Sequence, residues 1–130
     1  MQPKRSWETV GLEVLTTGDF DGTRLQRPGV YAVCFGATWC YPTRRFVPKF
    51  ASRKGSIPAH LAIADITRWE DPLWDVFRIR ITPTMMVFLD GEPIGRFDGR
   101  RVIGLRPSDL DKLEALVVRS AATAGADRTR

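Results

Sequence analysis

Two thiols, Cys34 and Cys40, and one imidazole, His60, carry most of the nucleophilic chemistry open to this 130-residue chain. Serine-histidine-aspartate catalysis and most protein metal sites need an imidazole beside a nucleophile, or several imidazoles together. A single histidine two residues after Pro58, opening an apolar run, reads as structural. No metal and no cofactor is expected. What is left is sulfur chemistry, in which a thiolate attacks a disulfide and a mixed disulfide forms. Two cysteines are too few to staple a secreted scaffold, and the opening MQPKRSWETV lacks an apolar leader, so the expected compartment is the cytoplasm.

The thiols must be positioned by the elements around them. With 43% hydrophobic, 10% aromatic and 27% charged residues, the chain has enough apolar material for one core, which excludes wholesale disorder. No run approaches the ~20 apolar residues of a membrane span. One domain over 1–130 is expected, with a core over about 12–118 and loose tails at 1–10 and 120–130. Gly29 sets off Val30 to Phe35, a β-branched and aromatic run that predicts a buried strand. From Cys40 to about Arg53, Phe46, Val47 and Phe50 recur at helical spacing, with Pro42 in the first turn and Pro48 inside.

His60 to Ile66 predicts a second buried strand, and Pro72 to Arg78 a short helix with Asp71 as its cap. Met85 to Leu89 predicts a third strand, and Asp90-Gly91 a hairpin turn into a strand over Pro93 to Phe97. Leu110, Leu113, Leu116 and Val117 mark a terminal amphipathic helix, and Leu12 to Leu15 an opening strand followed by a short helix. This order predicts an α/β fold, a central mixed sheet flanked by helices on both faces. Reactive groups in such sheets sit at carboxyl ends of strands, where the strand ending at Phe35 delivers Cys40.

At Trp39-Cys40-Tyr41-Pro42-Thr43 the chain resembles the thioredoxin superfamily, whose hallmark is Trp-Cys-x-x-Cys at the mouth of a helix. Pro42 fills the motif's proline slot, and Pro48 falls where family helices carry an internal proline. Ile81-Thr82-Pro83-Thr84 is similar to the family's cis-proline loop, and Asp90-Gly91-Glu92 with Gly99 matches its hairpin and following glycine. The resemblance spans roughly Leu12 to Val118 and implies a thioredoxin-like fold. The chain departs from the pattern at three places. Thr43 stands at the resolving cysteine, Cys34 at the buried aspartate, and Leu61 near its lysine partner.

By the resemblance, Cys40 sits at a helix N-terminus, where free backbone N–H groups and the helix dipole favour a thiolate. Arg44 and Arg45, within about a turn, are expected to support that charge, giving a lowered thiol pKa. The Thr43 hydroxyl, one turn on, is a candidate donor to the thiolate or to a backbone group. It cannot displace a bound partner, so the CxxT motif implies a mixed disulfide resolved by an external thiol or by a partner's cysteine. Cys34 is a possible second thiol. It lies on a strand facing the core, however, and a disulfide needs Cα atoms within roughly 4.4–6.8 Å, so it reads as a core residue.

Substrate contact is expected at Trp39, Tyr41, Pro42, Thr82, Pro83 and Gly99, with Trp39 as an apolar shelf and the Thr82 backbone pairing with an extended segment. The implied partners are client protein thiols and disulfides, or glutathione. The basic run Arg44 to Lys54, flanked by Arg78, Arg80, Arg96, Arg100 and Arg101, also suits acidic protein surfaces, although it reads first as a solvated helix face. No nucleic-acid motif accompanies it. Trp69 and Trp74, among Glu70, Asp71 and Asp75, read as helix packing and capping. The leading function is monothiol exchange at Cys40. Its rival is a non-catalytic binding module using the groove around Trp39 and Pro83.

Overall fold

The computed structural model describes residues 11–128; the expected loose end at 1–10 lies outside them. The run around Cys34 forms β4 (Val30–Gly36), the centre of a five-stranded sheet of order β1-β5-β4-β6-β7. Its neighbours are β1 (Glu13–Leu15), β5 (His60–Asp65), β6 (Thr84–Leu89) and β7 (Glu92–Asp98). Pairing is parallel for β1 with β5 and β5 with β4, antiparallel for β4 with β6 and β6 with β7, so the sheet is mixed. A small ribbon of β2 (Phe20–Asp21) and β3 (Arg24–Leu25) lies apart from it. The helices are α1 (Tyr41–Ala51), α2 (Leu73–Val76) and α3 (Pro107–Arg128).

Strand alternation divides the core in two. On one face Ala32, Cys34, Ile63 and Met85 meet Phe46 and Phe50 of α1 and Leu110 and Leu113 of α3. On the other, Val33, Phe35, Ala64 and Phe88 meet Leu73 of α2 and the following Phe77. Each fully buried Val, Ile, Leu, Met or Phe among them contributes roughly 1.5–3 kcal/mol relative to exposure. The β6–β7 turn holds both Asp90 (φ 49) and Gly91 (φ 93) in the left-handed region, as a type I′ hairpin requires. The N-cap of α2 is Pro72 and not the expected Asp71, although the Asp71 carboxylate accepts from the Leu73 N–H at 2.9 Å just ahead of the helix.

Two further expectations change. The segment 120–128, read as a loose tail, continues α3, and its alanines supply the helix propensity for this. The basic run is a solvated face only in part. On α1 Arg44, Arg45 and Lys49 are exposed, but just past its end Arg53 pairs with Asp111 at 2.9 Å and Glu114 at 3.3 Å on α3, and Lys54 donates to the Gly11 carbonyl at 3.0 Å.

Candidate active site

Cys40 is the N-cap of α1, with extended backbone (φ −93, ψ 117). Its carbonyl accepts the first intrahelical bond from Arg44 N–H at 3.1 Å, and its own N–H turns back to Ala37 O at 3.1 Å. Pro42, in the first turn, brings no N–H, which a helix start does not miss. The Cys40 side chain caps nothing. Instead the half-buried thiol donates to the Thr82 carbonyl at 3.3 Å. The loop before β6 therefore meets the head of α1 at the sulfur.

That loop is fixed from two sides. The Thr84 hydroxyl donates to Ile81 O at 2.7 Å, and the Thr82–Pro83 peptide bond is cis. A Cβ on Gly99 would lie 2.4 Å from the Pro83 carbonyl oxygen, so the backbone after β7 can approach only because this residue has none. Thr82, Pro83 and Gly99 are all buried, and among them it is the Thr82 carbonyl that reaches the thiol.

Trp39 indole N–H donates to Thr67 O at 2.7 Å, while Thr67 is held by the Asp65 carboxylate and accepts from the Thr38 N–H. Trp39 then stacks on Trp69 (centroids 4.6 Å, 22° between planes), and Trp69 on Trp74 (5.2 Å, 19°). Trp74 is anchored through its N–H to the carbonyls of Ile66 and Arg68, at 3.0 and 3.1 Å. Trp69 remains 70% exposed. Trp69 and Trp74 were read apart from the thiol. Trp39 and Trp74 also stack directly (6.2 Å, 10°), so the chain gathers the three rings into one aromatic cluster beside the thiol, through contacts of loops with α2 that leave no periodic signal.

Other site residues stand differently from expectation. Arg44 donates to the Thr38 carbonyl at 2.9 Å, and the guanidinium carbons of Arg44 and Arg45 lie 5.6 and 5.7 Å from the Tyr41 ring centroid. Both cations are thus engaged with the exposed Tyr41. Thr43 is fully buried against Gly36, whose hypothetical Cβ would meet Thr43 Cγ2 at 2.5 Å. Its hydroxyl has no hydrogen-bond partner among the described residues, so neither donation, to the sulfur or to a backbone group, is realised. Cys34 is sealed in the α1–α3 face of the core, where burial pushes its thiol well above the ordinary range. Both cysteines are free.

A groove of about 300 Å³ opens beside the sulfur, lined by Trp39, Cys40, Trp69, Trp74, Ile81 and Thr82, and by three arginines, Arg80, Arg100 and Arg101. Of the five arginines expected to flank the helix face, Arg80, Arg100 and Arg101 line the groove beside the thiol instead. Arg96 is committed to Asp98 at 2.7 Å and to the carbonyls of Phe77 and Arg78. Exposed His60 stacks on Tyr31 at 4.9 Å, far along β5 from this end of the sheet. No group of three or more metal-ligating side chains occurs among the described residues, and none of their helices is long and apolar enough to cross a membrane.

Residues 11–106 match the family model described as Thioredoxin. A thioredoxin of Staphylococcus epidermidis is 30% identical over 96 residues, 73% of this chain and 86% of the relative. The protein disulfide-isomerase A3 of Gallus gallus is 34% identical over 102 residues, 75% of this chain, which spans 20% of that protein's length. Among solved structures, thioredoxin f2 of Chlamydomonas reinhardtii superposes with a TM-score of 0.65 at 19% identity, over 85% of this chain and 96% of that one, a likeness of fold. With the family model matched across most of its length and a full-domain relative at that identity, the chain belongs to the thioredoxin family.

Proposed function

We propose that this member of a thiol–disulfide oxidoreductase family works by exchange through Cys40 alone. The observation that carries the reading is the half-exposed Cys40 sulfur at the head of α1, with a buried Thr43, not a thiol, one turn further on. The Cys40 proton leaves first, releasing the Thr82 carbonyl. The thiolate then attacks one sulfur of a disulfide; a new S–S bond joins Cys40 to that sulfur, the old bond breaks, and the other sulfur departs as a thiolate. An external thiolate such as glutathione, or a second cysteine of the client, attacks the mixed disulfide and returns Cys40 as the leaving thiolate. Electrons come from that external thiol, so we place the protein in the cytoplasm, where reduced thiols are abundant.

In this reading Trp39, Tyr41, Pro42, Thr82, Pro83 and Gly99 frame the client segment, and Thr43 acts by what it lacks. Cys34 stays a core residue. The test is steady-state reduction of a model disulfide with reduced glutathione present. Turnover is expected from the protein and from Cys34→Ala, and none above background from Cys40→Ser. Turnover by Cys40→Ser would overturn the proposal. The exposed Trp69 and Tyr41 surfaces favour a second reading, a binding module on the same groove without turnover. Full partner capture by a protein that shows no exchange would select it.

A further inference from the structure

The groove beside Cys40 is lined by both apolar and cationic side chains. The three stacked tryptophans supply aromatic surface and Arg80, Arg100 and Arg101 positive charge, with no carboxylate among the lining residues. Asp109 neutralises Arg100 from behind, through bonds of 3.1 and 3.4 Å. Arg80 and Arg101 form no ion pair among the described residues. Of the carboxylates near the tryptophans in sequence, Glu70 pairs with Arg68, Asp71 accepts from the Leu73 N–H and the Thr17 hydroxyl, and exposed Asp75 is not among the residues that line the groove. Two uncompensated guanidinium groups therefore face the space in which a client must lie.

The rim adds a third feature. Val102 holds φ at +69, is 91% exposed and is among the residues that line the groove. A β-branched residue in the left-handed region costs about 1–3 kcal/mol, here at the tip of a turn closed by paired Arg100 and Gly104 backbones. An apolar side chain held out in water at such a cost fits a contact made with something else. Large aromatic side chains and arginine are the residue types that dominate interface energetics, and charge fixes which partner is accepted.

From this arrangement we infer that the client of Cys40 is an extended acidic peptide segment with an aromatic or large apolar side chain beside its cysteine. The inference rests on the exchange reading and names its substrate class. The apolar side chain lies on the Trp39–Trp69 stack, Val102 covers it, and flanking carboxylates meet Arg80 and Arg101. The groove shares Arg80 and Ile81 with a second depression of about 340 Å³, lined also by Arg78, by Gly99 and by Arg96 with its ion-pair partner Asp98. Two adjoining hollows give room for more than a single small thiol.

The experiment measures binding of labelled synthetic peptides to the Cys40→Ser protein by fluorescence anisotropy, each peptide carrying serine in place of cysteine. An acidic peptide with a central tryptophan is compared with its lysine-substituted and its alanine-for-tryptophan counterparts, and with glutathione as competitor. The acidic aromatic peptide is expected to bind at least about tenfold more tightly, equivalent to ~1.4 kcal/mol, than either counterpart. The charge preference shrinks as salt is raised and disappears in Arg80→Ser/Arg101→Ser. Val102→Gly is expected to melt higher and bind the peptide more weakly. Equal binding of acidic and basic peptides overturns the inference, as does displacement by glutathione at equal affinity. Exchange of the unsubstituted protein with an uncharged aromatic disulfide is measured in parallel. Lost peptide selectivity with that exchange intact rejects the client assignment alone. Absent exchange rejects the exchange reading, while the Cys40→Ser binding data still decide the surface.

Discussion

The sulfur of Cys40 and the carbonyl oxygen of Thr82 lie 3.3 Å apart, although 42 positions separate them in the chain. One comes from the head of α1, the other from the loop before β6, and the sheet holds both because β4 and β6 are paired neighbours. Any group bonded to the sulfur must lie against Thr82. The reactive atom and the backbone that would orient its partner are thus one rigid arrangement.

The two thiols differ in access. Cys34 has no exposed surface and sits among Phe46, Val47 and Phe50, so a reagent reaches it only when the core opens. Opening a core strand takes a sizeable part of the global stability, several kcal/mol, so its alkylation should be slower than that of Cys40 by about a hundredfold or more. Brief treatment with iodoacetamide and intact-mass analysis should show one adduct in the native protein and two in denaturant. Equal labelling of both thiols in the native state would contradict this burial.

Thr43→Val is expected to hold or raise stability. The orphaned hydroxyl is buried at a desolvation cost of about 1–3 kcal/mol, and valine fills the same space against Gly36 without it. Urea unfolding should show a gain of up to ~2 kcal/mol. A loss larger than ~1 kcal/mol would mean that the hydroxyl has a partner.

Much of this was legible in the sequence, for reasons that differ by element. The unbroken apolar run Val30 to Phe35 predicts a strand buried on both faces, which places Cys34 in the core, and Asp90-Gly91 sets the hairpin by its own backbone preference. Thr43 and Pro42 follow from helical spacing at the head of α1. The Trp39–Trp69–Trp74 stack was not legible, because Trp39 and Trp69 sit on irregular loops that meet each other and Trp74 of α2, and loops carry no period. The convergence of Arg80, Arg100 and Arg101 on the thiol depends on how the strands bring the loop before β6 and the segment after β7 together. Ion pairing of Arg53 across to α3 was hidden for the same reason.

Gly99→Ala should damage both fold and site. Its Cβ would sit 2.4 Å from the backbone oxygen of Pro83, an atom with no soft escape, and overpacking of this kind costs about 1–3 kcal/mol. The displaced loop carries Thr82 away from Cys40, so the melting temperature should fall and disulfide exchange slow. Gly18→Ala, where the nearest atom is 3.8 Å away, is the control and should change little. Unchanged stability in Gly99→Ala would contradict the close approach.

Acid should loosen the segment that carries Arg101 and Val102. Burial alone would raise the Asp109 carboxyl, but the Arg100 guanidinium and the Arg106 N–H (2.8 Å) more than offset it and hold the group below its ordinary value of 3.8. A carboxyl depressed in the folded state adds stability above its unfolded pKa and loses it as pH falls through the folded one. The melting temperature should therefore drop below about pH 4, and Asp109→Asn should be less stable at neutral pH with a shallower acid limb. An unchanged acid limb in Asp109→Asn would show that this carboxylate is not the group responsible.

The most direct test of exchange through a single sulfur is the intact mass of the protein after equilibration with oxidised glutathione. One glutathione moiety is expected, mapped by peptide analysis to Cys40 and removed by excess reduced glutathione, with Cys34 unmodified. A loss of two hydrogens without an adduct, marking a Cys34–Cys40 disulfide, or a chain that takes up no glutathione at all, would contradict the account.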